Sequence, residues 1–151
     1  MKSAYEFALE FKKRHPMTIG WRIKQNASVI DRHINSDEQV LYAFVGQKNN
    51  NPFNFWSSAV VAITNKRILI GRKRVVIGYF LNAITPDMFN DLKVTSGIIW
   101  GKIYIDTIKE FVVISHLAKS ALDEIESAVS GYMMEEKKKY SKEVEKKKKK
   151  N

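Results

Sequence analysis

Residues able to do acid, base or nucleophilic chemistry are scattered along this chain rather than grouped. The three histidines, His15, His33 and His116, lie far apart, and no His–acid motif of metal-ligand spacing surrounds them. The absence of cysteine removes thiolate nucleophiles, Cys-ligated zinc and disulfides together, and it fits a reducing cytoplasm. No serine has the Gly-x-Ser-x-Gly context of a hydrolase nucleophile. Asp87, Asp91, Asp106 and Glu110 come nearest to a carboxylate pair, but two of them alternate with apolar strand residues and should face solvent. The pattern points to a protein with no catalytic centre, no cofactor and no metal.

What remains is charge and aromatic surface. The net charge of +10 is unevenly spread. Residues 1–35 hold seven Lys/Arg against three acids, residues 36–134 ten against nine, and residues 135–151 nine against four. A fold that binds nucleic acid usually carries its charge on the folded face, whereas here the middle is nearly neutral and the ends are basic. The strongest electrostatic feature is the tail, with Lys137, Lys138, Lys139, Lys142, Lys146, Lys147, Lys148, Lys149 and Lys150. Near an anionic leaflet each lysine is worth about 1 kcal/mol. The competing reading is a solvated helix, because Glu135/Lys139, Glu143/Lys147 and Glu145/Lys149 have the i,i+4 order that supports one by roughly 0.2–0.5 kcal/mol per pair.

Arg72, Lys73 and Arg74 form a second basic group, predicted at a strand connection, where they either meet phosphates or supply solubility. Phe53, Phe55 and Trp56 close an Asn-rich loop, Lys48 to Asn54, broken by Pro52. They are either an interfacial aromatic wedge or packing for the core and the N-terminal helices.

The elements that must position these residues follow from periodicity. At 151 residues the chain reads as one folding unit, long enough to bury about 68–70% of its unfolded surface. Ser3-Ala4-Tyr5-Glu6 has capping-box spacing, and Ala4, Phe7, Ala8 and Phe11 share a helical face that should end at His15, before Pro16. Ile19, Ile23, Ala27, Ile30 and Ile34 predict a second amphipathic helix, ended by Asn35 and Ser36. These helices need an apolar surface, either this chain's own core or a second copy.

From Glu38 the period becomes extended. Strands are predicted over Gln39–Gln47, Ser57–Thr64, Lys66–Arg72, Val75 to about Asn82, around Leu92–Thr95, Ile98–Ile105 and Thr107–Ile114, seven in all. Thr64-Asn65-Lys66-Arg67 is the central hairpin turn, with Asn65 as the residue able to take positive φ. Ser120 is a predicted N-cap, followed by Asp123 and Glu124 and an apolar stripe to Tyr132. No run approaches the roughly 18 apolar residues of a membrane span, and Glu6 and Glu10 interrupt the start.

Ile63-Thr64-Asn65-Lys66-Arg67-Ile68-Leu69 resembles the strand-turn-strand signature of bacterial pleckstrin-homology (PH) domains. Asn90-Asp91-Leu92, Gly97-Ile98-Ile99-Trp100-Gly101-Lys102-Ile103 and Ile105 to Glu110 resemble the YokE-like subgroup. The resemblance covers about Glu38 to Tyr132. It implies an α+β, mainly β fold: a seven-stranded, partly open antiparallel barrel capped by a C-terminal helix. The chain then divides into a helical hairpin over 1–35, a PH-like domain over 36–134 and a lysine-rich helical or disordered tail over 135–151.

The family resemblance implies a binding or assembly module and no catalysis. PH domains that hold phosphoinositides concentrate basic residues around the first strand-loop-strand, where this chain has only Lys48, which argues against a specific inositol phosphate site. The reading is therefore a non-enzymatic cytoplasmic module that binds a protein partner or a copy of itself and is drawn to the anionic inner face of the membrane. The alternative is non-specific nucleic-acid binding through the tail and Arg72–Arg74, with steep salt dependence.

Overall fold

The computed structural model describes residues 1–51 and 53–150. Pro52, the predicted loop breaker, lies outside the described residues. Helix α1 spans Ala4–Arg14 and ends at His15, as the following proline dictates. Ser3 Oγ accepts from the Glu6 amide at 3.1 Å, and Asp31 of the next helix takes the Ala4 and Tyr5 amides at 2.8 and 3.3 Å. Helix α2 is shorter than predicted, Ile23–His33. Ile19 falls in the connection because Arg22, at φ 55°, turns the chain before the helix begins.

Seven antiparallel strands follow: β1 Val40–Gln47, β2 Ser58–Thr64, β3 Ile68–Lys73, β4 Tyr79–Ile84, β5 Phe89–Ser96, β6 Trp100–Thr107 and β7 Phe111–Ala118. They form a curled half-barrel with strand order β4-β3-β2-β1-β7-β6-β5, joined across its middle where Gln47 pairs with Ser115. At that crossing a bulge in β7 holds His116 at φ 56° beneath Phe55 and Trp100. Helix α3, Leu122–Lys150, enters through a short 3₁₀ turn over Lys119–Ala121 rather than directly from Ser120. Among the described residues no helix is long and apolar enough to cross a membrane.

Two turns correct the predicted boundaries. The Thr64–Arg67 turn needs no positive φ at Asn65, since the Thr64 hydroxyl accepts from the Lys66 and Arg67 amides, both at 3.1 Å. Thr107–Glu110 repeats this design, so β7 starts at Phe111 rather than at Thr107. Strand β4 starts at Tyr79 instead of Val75. Lys73 pairs with Tyr79, and the Arg74 amide donates to the Gly78 carbonyl across a turn that Gly78 closes at φ 90°. Strand β5 begins earlier than predicted and β6 later, which leaves Ile98 and Ile99 in an exposed turn.

The N-terminal helices pack on this chain's own sheet, α1 against β1 and α2 against β2 and β3. Phe11 lies among Tyr42 and Phe44, with ring centroids 6.4 and 6.2 Å away. Gly71 lets α2 approach closely: a Cβ there would come 2.8 Å from the Asn26 carbonyl oxygen. On the other flank Leu122, Ile125, Val129 and Met133 bury the inner face of α3, which packs on β5.

Candidate functional site

Asn26, 2% exposed, ties three elements together beside the start of β2 and the end of β3. Its Nδ2 donates to the Trp21 and Ser58 carbonyls at 3.3 and 3.0 Å, and its Oδ1 accepts from the Lys73 amide at 2.8 Å. The Trp21 amide donates to Ser58 Oγ at 2.9 Å. The α1–α2 connection, the start of β2 and the end of β3 thus enclose a cavity of about 340 Å³. Trp21 and Trp56 wall it, and Arg22, Arg72, Lys73 and Arg74 line it. Among the described residues none of these four cations forms an ion pair. The Arg72 and Arg74 guanidiniums lie over the Phe80 ring, 5.6 and 5.3 Å from its centroid.

Beside this cavity the β3–β4 turn projects Val75, Val76 and Ile77, which are 80%, 87% and 79% exposed. A contiguous apolar tip flanked by cations is a functional signal in a way that a single exposed leucine is not. Residue type alone predicts a strand for these three, whereas β4 starts at Tyr79. Gly78, standing between a β-branched triplet and the next strand, was the available sign of a turn.

The predicted site residues separate in space. Arg72 and Lys73 end β3 and Arg74 opens the turn, so the basic group sits at the cavity. Phe55 packs edge-on to Trp100 at 5.7 Å and against His116 at 4.9 Å, whereas Phe53 and Trp56 are exposed. Lys48 is engaged within the barrel: its Nζ donates to Asn82 Oδ1 at 2.7 Å, Asn82 Nδ2 donates to Glu110 Oε1 at 3.0 Å, and burial lowers the Lys48 pKa.

Lys137, Lys138, Lys139, Lys142 and Lys146–Lys150 all ride on α3. Lys137 Nζ donates to the Phe89 carbonyl at 2.6 Å, where β5 begins just after the β4–β5 connection. The tail therefore leaves the fold at the opposite end of β4 from the Val75–Ile77 tip. Strand β4 itself, six residues long, spans about 20 Å. Of the tail's predicted ion pairs, the described residues show Glu136 with Lys139 at 3.2 Å in place of Glu135 with Lys139.

One cluster has the residue types of a hydrolase triad, although its members are far apart in the chain. His15 Nδ1 is 2.9 Å from Ser120 Oγ, and His15 Nε2 is 3.2 Å from Glu124 Oε2. Glu124 also accepts from the Tyr42 hydroxyl at 2.6 Å and from Arg14 Nε and Nη2 at 3.0 and 3.3 Å. Burial alone would raise the Glu124 carboxyl, but the Arg14 and Tyr42 hydrogen bonds outweigh it and hold the pKa below the usual range. Burial and the Glu124 carboxylate push the Tyr42 phenol far above its ordinary value. The carboxylate is thus committed to joining α1, β1 and α3, and the cluster is a clamp between the two ends of the fold.

Comparison with known proteins adds a family to this geometry. The family model described as Bacterial PH domain matches residues 34–130. The chain belongs to the bacterial PH domain family. This PH domain also shares its fold with the crystal structure of a pleckstrin homology domain from Shewanella amazonensis SB2B, with a TM-score of 0.51 at 12% identity, over 75% of this chain and 89% of that one. No curated protein matches. Domains of this class are binding and interaction modules. Trp21, Arg22 and Asn26 lie outside the matched residues, so three of the nine residues that line the cavity come from the N-terminal extension of this PH domain.

Proposed function

We propose that this bacterial PH domain is a non-catalytic binding module that seats on anionic membrane at the cytoplasmic face through its β3–β4 tip and β1–β2 loop. The rest of its surface is then presented to a protein partner or a second copy. The observation that carries this reading is the exposed Val75–Ile77 tip beside four cations that form no ion pair among the described residues. Indoles favour the headgroup level, β-branched side chains favour the layer below, and arginines favour phosphates, so Trp21, Trp56, the tip and Arg72–Arg74 match a bilayer surface layer by layer. The resemblance of residues 90–110 supports a YokE-like subgroup within the family.

The lysines of α3 supply a second attraction to the anionic surface, each worth about 1 kcal/mol when it lies near the leaflet. Cosedimentation of the full chain with phosphatidylcholine vesicles, with and without phosphatidylglycerol, tests the reading. Binding to the anionic vesicles alone is the expected result, and equal or absent pelleting with both would remove it. The lysine run on α3 supports a second reading, non-specific nucleic-acid binding. A gel shift with a short duplex at low and rising salt tests it, and absence of a complex at low salt would remove it.

A further inference from the structure

We propose that the free edge of β4 takes up an extended, acidic segment of a partner protein as an added strand. The inference rests on the membrane-docking reading above, which orients the domain, and adds the docking surface, its register and the partner's chemistry. Strand β4 ends the sheet order, and alternation along the β3–β4 ladder fixes which of its backbone groups are spare. The Arg74 amide donates to the Gly78 carbonyl, so the residues in step with Gly78, namely Phe80, Asn82 and Ile84, exchange hydrogen bonds with β3. The Lys73 amide accordingly turns away from β4, to Asn26 Oδ1 at 2.8 Å. Tyr79, Leu81 and Ala83 therefore aim their N–H and C=O groups outward, and among the described residues none of these groups has a hydrogen-bond partner.

The other edge of the sheet is covered: α3 packs on β5, and Lys137 Nζ donates to the Phe89 carbonyl. On β4, Tyr79 and Phe80 are 50% and 46% exposed, and His33 Nε2 of α2 holds the Tyr79 hydroxyl at 3.0 Å. Cross-strand neighbours share a face, so an added strand meets two different surfaces. Leu81 pairs with Gly71, whose face meets α2, and residues opposite Tyr79, Leu81 and Ala83 therefore lie on that apolar side. The residue opposite Phe80 meets a ring overlaid by the Arg72 and Arg74 guanidiniums, neither of which forms an ion pair among the described residues, and a carboxylate there satisfies them. Glu110, which reaches the same face, is engaged by Asn82 Nδ2 at 3.0 Å. A second copy fits less well, because antiparallel pairing of two β4 edges would point the two Val75–Ile77 tips in opposite directions, away from a common bilayer. A partner's strand adds main-chain hydrogen bonds without that conflict.

The test uses the full chain without vesicles and the capped peptide Ser-Val-Thr-Val-Asp-Val-Ser, whose antiparallel register sets the central valine opposite Leu81 and the aspartate opposite Phe80. Amide hydrogen exchange followed by NMR is the readout. The Tyr79, Leu81 and Ala83 amides should exchange fast in the free protein and slow about tenfold once peptide exceeds its Kd about tenfold, while Phe80 and Asn82 stay protected throughout. N-methylation of the central valine should abolish the protection, and N-methylation of the aspartate, whose N–H faces away from β4, should leave it intact. Arg74→Ala should weaken binding about fivefold. Ala83→Pro, which removes an outward donor and leaves the β3 ladder whole, should weaken it at an unchanged urea midpoint. Unprotected amides at millimolar peptide, in a protein that still pellets with anionic vesicles, would overturn the edge site and leave the membrane reading standing. Protection without pelleting would remove the membrane reading and keep the edge site. Equal protection by a peptide with lysine in place of the aspartate would overturn the acidic partner, and equal loss on N-methylation at either position would overturn strand pairing. Protection of the same amides by raising the protein concentration alone would assign the edge to a second copy and overturn the partner strand.

Discussion

Arg67→Met should unfold this PH domain more readily than any surface charge substitution, by an amount that depends on pH. Arg67 Nε and Nη2 donate to the two Glu38 carboxylate oxygens, each at 3.0 Å, and Nη2 also reaches the His33 carbonyl at 3.1 Å. The Glu38 side chain is 0% exposed, so removing the guanidinium strands a carboxylate away from water. The folded variant can escape by protonating Glu38. For a carboxyl of ordinary pKa near 4.3, that costs about 3.7 kcal/mol at pH 7 and about 1 kcal/mol at pH 5. With the lost hydrogen bond to His33 at about 1 kcal/mol, the penalty is about 4–5 kcal/mol at pH 7 and about 2 kcal/mol at pH 5.

The sign in the wild type runs the other way. Burial raises the Glu38 carboxyl, but hydrogen bonds from Arg67 and Thr64 outweigh it and leave its pKa lowered. The wild-type contribution is therefore complete above about pH 4.3 and is lost only as pH falls below that through the folded pKa. Between pH 5 and 7 the difference accordingly reports the variant alone. Urea unfolding at both pH values measures it, and adding Glu38→Leu to Arg67→Met should recover most of the loss. A loss under about 1 kcal/mol at pH 7, or an equal loss at both pH values, would refute the buried-pair argument.

Asn26→Ala should cost about 2–4 kcal/mol in urea unfolding, because it strands the Ser58 carbonyl and the Lys73 amide, and the Trp21 indole should become more mobile by NMR relaxation. Glu124→Gln should lower stability at pH 7 and remove a share of the wild type's acid sensitivity, since the lowered Glu124 pKa stabilises only above the ordinary carboxyl range; unfolding midpoints from pH 7 to 3 check this. Replacing Lys146–Lys150 with Gln in the full chain should weaken pelleting with anionic vesicles, and more so at low salt than at 150 mM; pelleting equal to the wild type at both would remove the tail from the mechanism.

The β-hairpin centred on Asn65 was legible because β-branched runs flank a polar break. Its turn chemistry was not, since the Thr64 hydroxyl does what a left-handed Asn65 was expected to do. Ser3 capped α1 as its spacing suggested, but Asp31, 27 residues away from Ala4, supplies two further bonds. Val75, Val76 and Ile77 misled the reading for a physical reason: strand propensity is local, whereas exposure depends on the register that pairs Lys73 with Tyr79. The cationic triplet was visible by residue type. That it shares a cavity lining with Trp21 and Arg22 was not, because Asn26 joins segments 32 and 47 residues apart.

The central claim is that the β3–β4 tip is the membrane contact. Val75→Ser, Val76→Ser and Ile77→Ser combined in the full chain test it most directly. Moving three exposed side chains into the headgroup–acyl boundary is worth about 1 kcal/mol each, about 3 kcal/mol together, roughly half of full burial. Partitioning onto phosphatidylglycerol-containing vesicles should therefore fall by about 100-fold, while the urea midpoint stays within error of the wild type. Partitioning equal to the wild type would contradict the claim.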